Sequence, residues 1–136
     1  MTTPPVEQEA TLELGLCERV EDLGWAITRP DVDLQKLVKD HDAVIRLRRS
    51  GGVQQTWQLI ARITVEVYAA TYTKAWETAE AVAGNPSTPD LGRLLRHPYW
   101  AGGWLIDRAV SETANTELAH PNLRLVSSVL RLTTRS

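Results

Sequence analysis

The chain predicts an α+β fold in the order α-β-β-α-β-β: a four-stranded antiparallel sheet with two helices on one face and a long projecting β-hairpin. Three observations lead there. Residues 59–69 are apolar at every second position, residues 73–83 switch to helical spacing, and residues 105–134 return to strand-like alternation. A chain of 136 residues, 43% hydrophobic and 24% charged, has the size and composition of one globular domain. Such a chain buries enough surface to hold a core without staples.

An N-terminal helix is expected over about residues 4–24. Thr3-Pro4-Pro5 suits a helix start, and Glu7 and Glu9 favour the positive end of its dipole. Leu12, Leu16, Val20 and Leu23 form an apolar stripe with Val6 and Cys17, and Gly24 is the stop. Gly15 falls on the polar side and costs the helix about 1 kcal/mol relative to alanine. Residues 25–42 read as a linker with a single helical turn at Asp33–Lys39.

The core is expected at 43–84. Ile45 and Leu47 face one way, Val44, Arg46 and Arg48 the other, and Ser50-Gly51-Gly52 supplies a turn. In the returning strand Leu59, Ala61, Ile63, Val65, Val67 and Ala69 share one face. Arg62, Thr64, Glu66 and Tyr68 occupy the other, which is expected to be open. Fully extended, Trp57–Ala69 would span about 43 Å, against a radius of gyration near ~14 Å for a domain of this size. The hairpin must therefore bulge, bend or project. A helix follows at Thr73–Ala83, with Tyr72, Ala75, Trp76, Ala79 and Val82 on one face, and Gly84 ends it. Residues 85–104 form a long connection holding a short helix around Asp90–Arg96. The C-terminal strands fill 105–135. Leu105–Thr113 alternates around Ile106, Arg108 and Val110, Ala114–Asn122 is a turn, and Val126, Leu130 and Leu132 share a face of the last strand.

Composition narrows the function classes. A single cysteine excludes an intramolecular disulfide. No apolar run approaches the ~20 residues of a membrane span, and MTTPPVEQEA lacks the features of a signal peptide. The expectation is a soluble protein made in the cytosol, with no membrane partner. The net charge of −2 hides a split: residues 1–42 hold 10 acidic and 4 basic side chains, the remainder 7 and 11. A bipolar chain of this kind can pair head to tail with its own copies. It lacks the strongly basic balance of a nucleic-acid binder.

Residues that could carry chemistry are few. Asp40-His41-Asp42 reads as a polar lead-in to a strand, because no second His or Cys group stands at ligand spacing. Asp31 and Asp33 lack the rest of a calcium loop. Glu9 and Glu13, one helical turn apart, read as a ragged polar margin. Ser50-Gly51-Gly52 opens no helix and precedes no Lys-Ser/Thr pair, so it is a hairpin turn and not a phosphate loop. Cys17 reads as a buried thiol, and Ser127 and Ser128 have no histidine nearby in sequence. No catalytic, metal or cofactor-binding residue is assigned, and no enzyme activity is expected. Arg46, Arg48, Arg49 and Arg62, with Ser50, Gly51 and Gly52 at the tip, are either a solvated sheet face or a contact with another chain. Of the five tryptophans, Trp76 suits the core. Trp100 and Trp104 are either core residues or interface anchors.

Three motifs carry a family resemblance. They are AVIRLRRSGG (43–52), ARITVEVYAATYTKAWETAEAVAG (61–84), and GGWLIDRAVSE (102–112) with the closing strand HPNLRLVSSVLRLTTRS (120–136). In this order they resemble the tail terminator proteins of long-tailed bacteriophages, especially those of actinobacteria. Residues 1–42 match only as a helix and a linker, and the 85–104 connection is longer than the pattern. The resemblance implies a structural virion protein at the tail-neck junction. It implies a homohexameric ring on the head-proximal end of the tail tube, which stops tube polymerisation and docks a head-completion or stopper protein. DNA would pass through the ring without specific binding. No metal or cofactor is implied. Under this resemblance the hairpin residues Arg46, Arg48, Arg49, Ser50, Gly51, Gly52 and Arg62 become candidate subunit or tube contacts. Another neck component, such as a stopper or connector, is the near alternative; a small ligand-binding α+β domain is the distant one.

Overall fold

The computed structural model describes residues 5–28, 32–54, 58–85 and 92–135, with the side chains of 5–11 and 53–54 outside the described set. In chain order the elements are α1 (Pro5–Val20), β1 (Trp25–Ile27), α2 (Leu34–His41), β2 (Ala43–Gln54), β3 (Gln58–Ala69) and α3 (Tyr72–Ala83). A 3₁₀ turn (Arg93–Leu95), β4 (Tyr99–Ala101), β5 (Trp104–Leu118) and β6 (Arg124–Arg135) follow. The strands form one six-stranded sheet, ordered β1-β2-β3-β6-β5-β4. β1 runs parallel to β2 and every other pair is antiparallel. The sheet curls into a half-barrel.

This corrects the expected four-stranded antiparallel sheet with two helices on one face. The two additional strands, β1 and β4, are the sheet edges, and at three residues each they are too short to show a period of two. They lie inside the stretches read as linker and connection. The third helix, α2, also lies in the linker. Asp33 caps it by accepting from the Lys36 amide at 3.2 Å, worth about 1 kcal/mol for such a cap. Asp40 and His41 are its last residues, and Asp42 ends it with φ 70° while its amide donates to the Val38 carbonyl.

The three helices do not all share a face. α1 and α3 bring Leu12, Leu16, Val20, Ala75, Ala79 and Val82 onto the apolar side of the sheet, where Ile45, Leu47, Leu59, Ile63, Leu130 and Leu132 are all buried. Full burial of each large aliphatic side chain contributes roughly 1.5–3 kcal/mol. α2 covers one end of the opposite side, packing Val38, Leu34 and Leu37 on Val44, Tyr68, Leu123 and Leu125. The face expected to be open is therefore closed at that end.

The hairpin is not a free arm. β3 pairs with β2 on one side and, along its whole length from Gln58 to Ala69, with β6 on the other. Its length is absorbed by the curl of the sheet and by a bulge in β2 between Arg49 and Gly51. β5 also departs from the expected pattern. It runs on to Leu118, through residues read as a turn, and register shifts between Ile106 and Arg108 and again near Thr113 break its alternation. Ile106 and Ala109 are the buried residues there, while Arg108 is exposed. The Thr3-Pro4 start, Trp57, and residues 90–91 of the short helix expected around Asp90–Arg96 lie outside the described residues; the described part of that stretch holds the 3₁₀ turn Arg93–Leu95.

α1 closes the side of the half-barrel next to β4. Gly15, read as a polar-face residue, is buried with its Cα against the turn after β4: a Cβ there would lie 2.5 Å from the Ala101 carbonyl carbon and 2.8 Å from Gly102 Cα. Past this approach Arg19 stacks on the Tyr99 ring at 3.8 Å, and its Nε donates to the Arg93 carbonyl at 3.2 Å. Arg93 reciprocates, donating to the Arg19 carbonyl at 3.1 Å and in a fork to Asp22 at 2.7 and 3.1 Å. The bond to the Arg19 carbonyl occupies one of the groups that the end of α1 would otherwise leave unpaired.

Burial pushes the Cys17 thiol up to about 11, helped by the negative charges of Glu13 and Glu18. The thiol ionises earlier in the unfolded chain than in the folded one, so this group stabilises fully below about pH 9, and its contribution falls between 9 and about 11. Maleimide or disulfide-exchange labelling at pH 8 should be slow in the native protein and fast in urea. Equal rates would place Cys17 outside the core.

Candidate interaction surface

The hairpin arginines, grouped by sequence, divide between the two faces of the sheet. Arg46 and Arg48 lie two residues apart on β2, on the side away from α1 and α3, opposite Glu66 and Thr64 of β3. Both donate through Nε to the same Glu66 oxygen at 3.0 Å. Arg46 also donates to the Tyr68 hydroxyl at 2.9 Å, and that hydroxyl donates to the second Glu66 oxygen at 3.3 Å. Glu66 is buried, and Arg46 is only 13% exposed, against 47% for Arg48. Burial, with the Glu66 charge second, raises the Tyr68 phenol, which holds it as a donor. Arg46 is thus a structural cation under the α2 end of the sheet, and Arg48 forms the network's wet margin.

Arg62 lies farther along the same side. Its Nε meets Glu112 of β5 at 2.6 Å, and Arg131 of β6 approaches the same carboxylate at 3.8 Å. Three adjacent strands are thereby tied across the sheet. Arg49, one residue from Arg48, takes the opposite parity, and its Nε donates to the Gly51 carbonyl at 3.3 Å. Arg49, Gly51 and Gly52 line an open depression with Glu13 of α1. The Ser50 hydroxyl donates to the Arg62 carbonyl at 3.4 Å, stitching the bulge to β3. Ser50-Gly51-Gly52, expected as the hairpin turn, instead lies inside β2, which runs on to Gln54 with Gly52 paired to Ala61. Gly52 has φ 135°, and a Cβ there would strike the Ile60 carbonyl, so the strand demands glycine at this position. β1 pairs only with Val44–Arg46, so the outer edge of β2 beyond Arg46 has no strand partner among the described residues. Charged side chains and a bulge on that edge are the features that discourage uncontrolled strand addition.

The two candidate anchor tryptophans also differ. Trp104 begins β5 and is buried in the main core. Trp100, at the middle of β4, is 64% exposed, because Tyr99 and Ala101 on either side take the inward positions. Trp76 is partly buried, and its indole donates to Glu117 at 2.6 Å.

A surface the motifs did not indicate lies between α1 and β1. Leu14, Glu18 and Glu21 of α1 and the loop after it face Trp25 and Ala26 across a groove. Leu14 is 58% exposed and Trp25 47%. Trp25 is fixed by stacking on His41, ring centroids 4.1 Å apart and 8° from parallel. The available signal was Leu14, which stands about 200° around the helix from Leu12 and so outside the apolar stripe. A second depression, of about 280 Å³, lies beside the end of α3. It sits just under the usual ~300–1,000 Å³ of a ligand pocket. Asn115 on its wall donates to the Gly84 carbonyl at 2.9 Å, and Glu112 is already held by Arg62 and Arg131. Among the described residues no group of three or more His, Cys, Asp or Glu is placed to hold a metal ion, and no helix is long and apolar enough to cross a membrane. No protein-family model matches the chain, and no curated protein matches it either.

Proposed function

We propose that this chain is a structural virion protein of a long-tailed phage, acting as a tail terminator: copies form a ring on the head-proximal end of the tail tube, end its polymerisation, and present a docking surface to a head-completion protein. The ordered set of motifs at 43–52, 61–84 and 102–136 carries this reading. The side-chain arrangement is consistent with it in kind. The buried charge of Glu66 is answered by Arg46, and exposed large apolar groups stand at the α1–β1 groove (Leu14, Trp25), on β4 (Trp100) and at the end of β5 (Leu118), where a neighbour can cover them.

The test is deletion of the gene from its phage, followed by imaging of the tails and of purified protein mixed with tail tubes. Overlong headless tails in the deletion, together with added density at one tube end, are the expected result. Normal tail length with tubes left bare overturns the proposal. Normal length with loss of head joining alone would move the protein to the stopper position of the neck.

A further inference from the structure

We infer that successive copies of this chain meet head to tail, with Trp100 of one copy seated in the α1–β1 groove of the next. The inference rests on the ring reading above and names the residues that make its contact. Four large apolar side chains stand exposed among the described residues: Leu14, Trp25, Trp100 and Leu118. Leu14 and Trp25 line the groove between α1 and β1, and Trp100 stands at the middle of β4, on the face of that strand opposite Tyr99 and Ala101. Burying isolated aromatic anchors of this kind in a partner's pocket is what dominates contact energy.

Charge commits the occupant to a second copy. The groove carries Glu18 and Glu21 at its rim; both are exposed, and neither has an ion-pair partner among the described residues. The third carboxylate there, Asp22, is taken by Arg93. Around Trp100 the signs reverse. Arg96 is exposed close enough to Arg19 to act on its charge. Arg108 projects from β5, which pairs with β4, and neither arginine is ion-paired among the described residues. Asp107, the acid nearest Arg108, is held by Arg135 at 2.6 Å. One patch is apolar with a free acidic rim; the other is an exposed indole on β4, with one unpaired arginine, Arg96, shortly before it in the chain and another, Arg108, on the neighbouring strand β5. Matched patches of opposite sign on one chain specify a heterologous contact, which generates a ring when its rotation closes. A two-fold contact of the groove with itself would set carboxylates against carboxylates. Because β1 and β4 are only three residues long, the contact is made by side chains and not by continuing the sheet.

The experiment uses the full chain and sedimentation equilibrium over a range of concentrations, with circular dichroism confirming that each variant is folded. Trp100→Ser, the pair Glu18→Lys/Glu21→Lys, and the pair Arg96→Glu/Arg108→Glu should each weaken self-association at least tenfold. The chain carrying both reversed pairs should recover it, which no merely structural role of these surface residues would produce. Unchanged association in all variants, or failure of the doubly reversed chain to recover, overturns this contact while leaving a ring built otherwise. A wild-type chain monomeric at the highest soluble concentration also overturns it, with tail length in the deletion deciding the ring reading separately. Loss of tube binding in Trp100→Ser without loss of self-association would assign the indole to the tube protein instead, and equally overturns it.

Discussion

Gly15→Ala should destabilise the fold by about 2 kcal/mol, although it places the better helix former inside a helix. Two terms of opposite sign compete. Alanine returns about 1 kcal/mol of helix propensity. Against this, the new methyl lands on the backbone of Ala101 and Gly102, 2.5 Å from one carbonyl carbon and within the Gly102 amide nitrogen. Backbone in a paired hairpin cannot swing aside as a side chain can, so α1 must lift from β4. The cost belongs at the upper end of overpacking, about 3 kcal/mol. Lifting α1 also strains the Arg19–Tyr99 stack and the reciprocal Arg19–Arg93 bonds. The measurement is a urea unfolding curve, with a lower midpoint and an unchanged slope expected. Gly51→Ala is the control. The nearest atoms to its Cβ, on Arg62, lie 4.0 Å away, so its midpoint should hardly move. A Gly15→Ala protein as stable as the parent would show that α1 does not press on the β4–β5 turn.

That contact shows why the sequence tells only part of the structure. Where an element is long and regular its faces are legible: Ile45 and Leu47, Leu59 through Ala69, and Val126, Leu130 and Leu132 are buried as their spacing indicates. Legibility fails where geometry is set by a distant partner. Gly15 is neutral on a helical wheel until the turn 87 residues further along the chain arrives against it. Tyr68 alternates with core residues and reads as solvent-facing until α2 and Leu125 cover it. Trp100 and Trp104 look alike in the sequence. The tight turn at Gly102-Gly103 makes Ala101 and Trp104 partners, and three residues of β4 are too few to reveal that Trp100 faces out. The arginine cluster has the same difficulty. Its composition was visible, but the acids that hold it, Glu66 and Glu112, come from separate strands, and only the register decides which arginine each one serves.

Removing the acid at the centre of that cluster should have the largest electrostatic effect in the molecule. Glu66→Ala leaves Arg46 nearly buried with its charge unanswered. Breaking a buried pair from one side typically costs about 3–5 kcal/mol, and Glu66 stands at the lower end because Arg48 is open to water. Arg48→Ala should cost no more than ~1 kcal/mol, as for an exposed pair, and Arg46→Ala should fall between the two. Coupling energies from the double variants should rank Glu66–Arg46 above Glu66–Arg48. Salt should discriminate them further, since 1 M NaCl screens charges beyond about 3 Å in water: the Arg48 coupling should fade and the Arg46 coupling persist. Equal coupling for both arginines would mean that Arg46 is as wet as Arg48 and that α2 does not shield this end of the sheet. The same geometry governs how the hairpin can be probed as a surface. Arg48→Glu would set a carboxylate beside Glu66 and unsettle the fold before it reported on any partner. Arg48→Gln removes the exposed charge, leaves Arg46 and Tyr68 on Glu66, and so separates a lost contact from a lost fold.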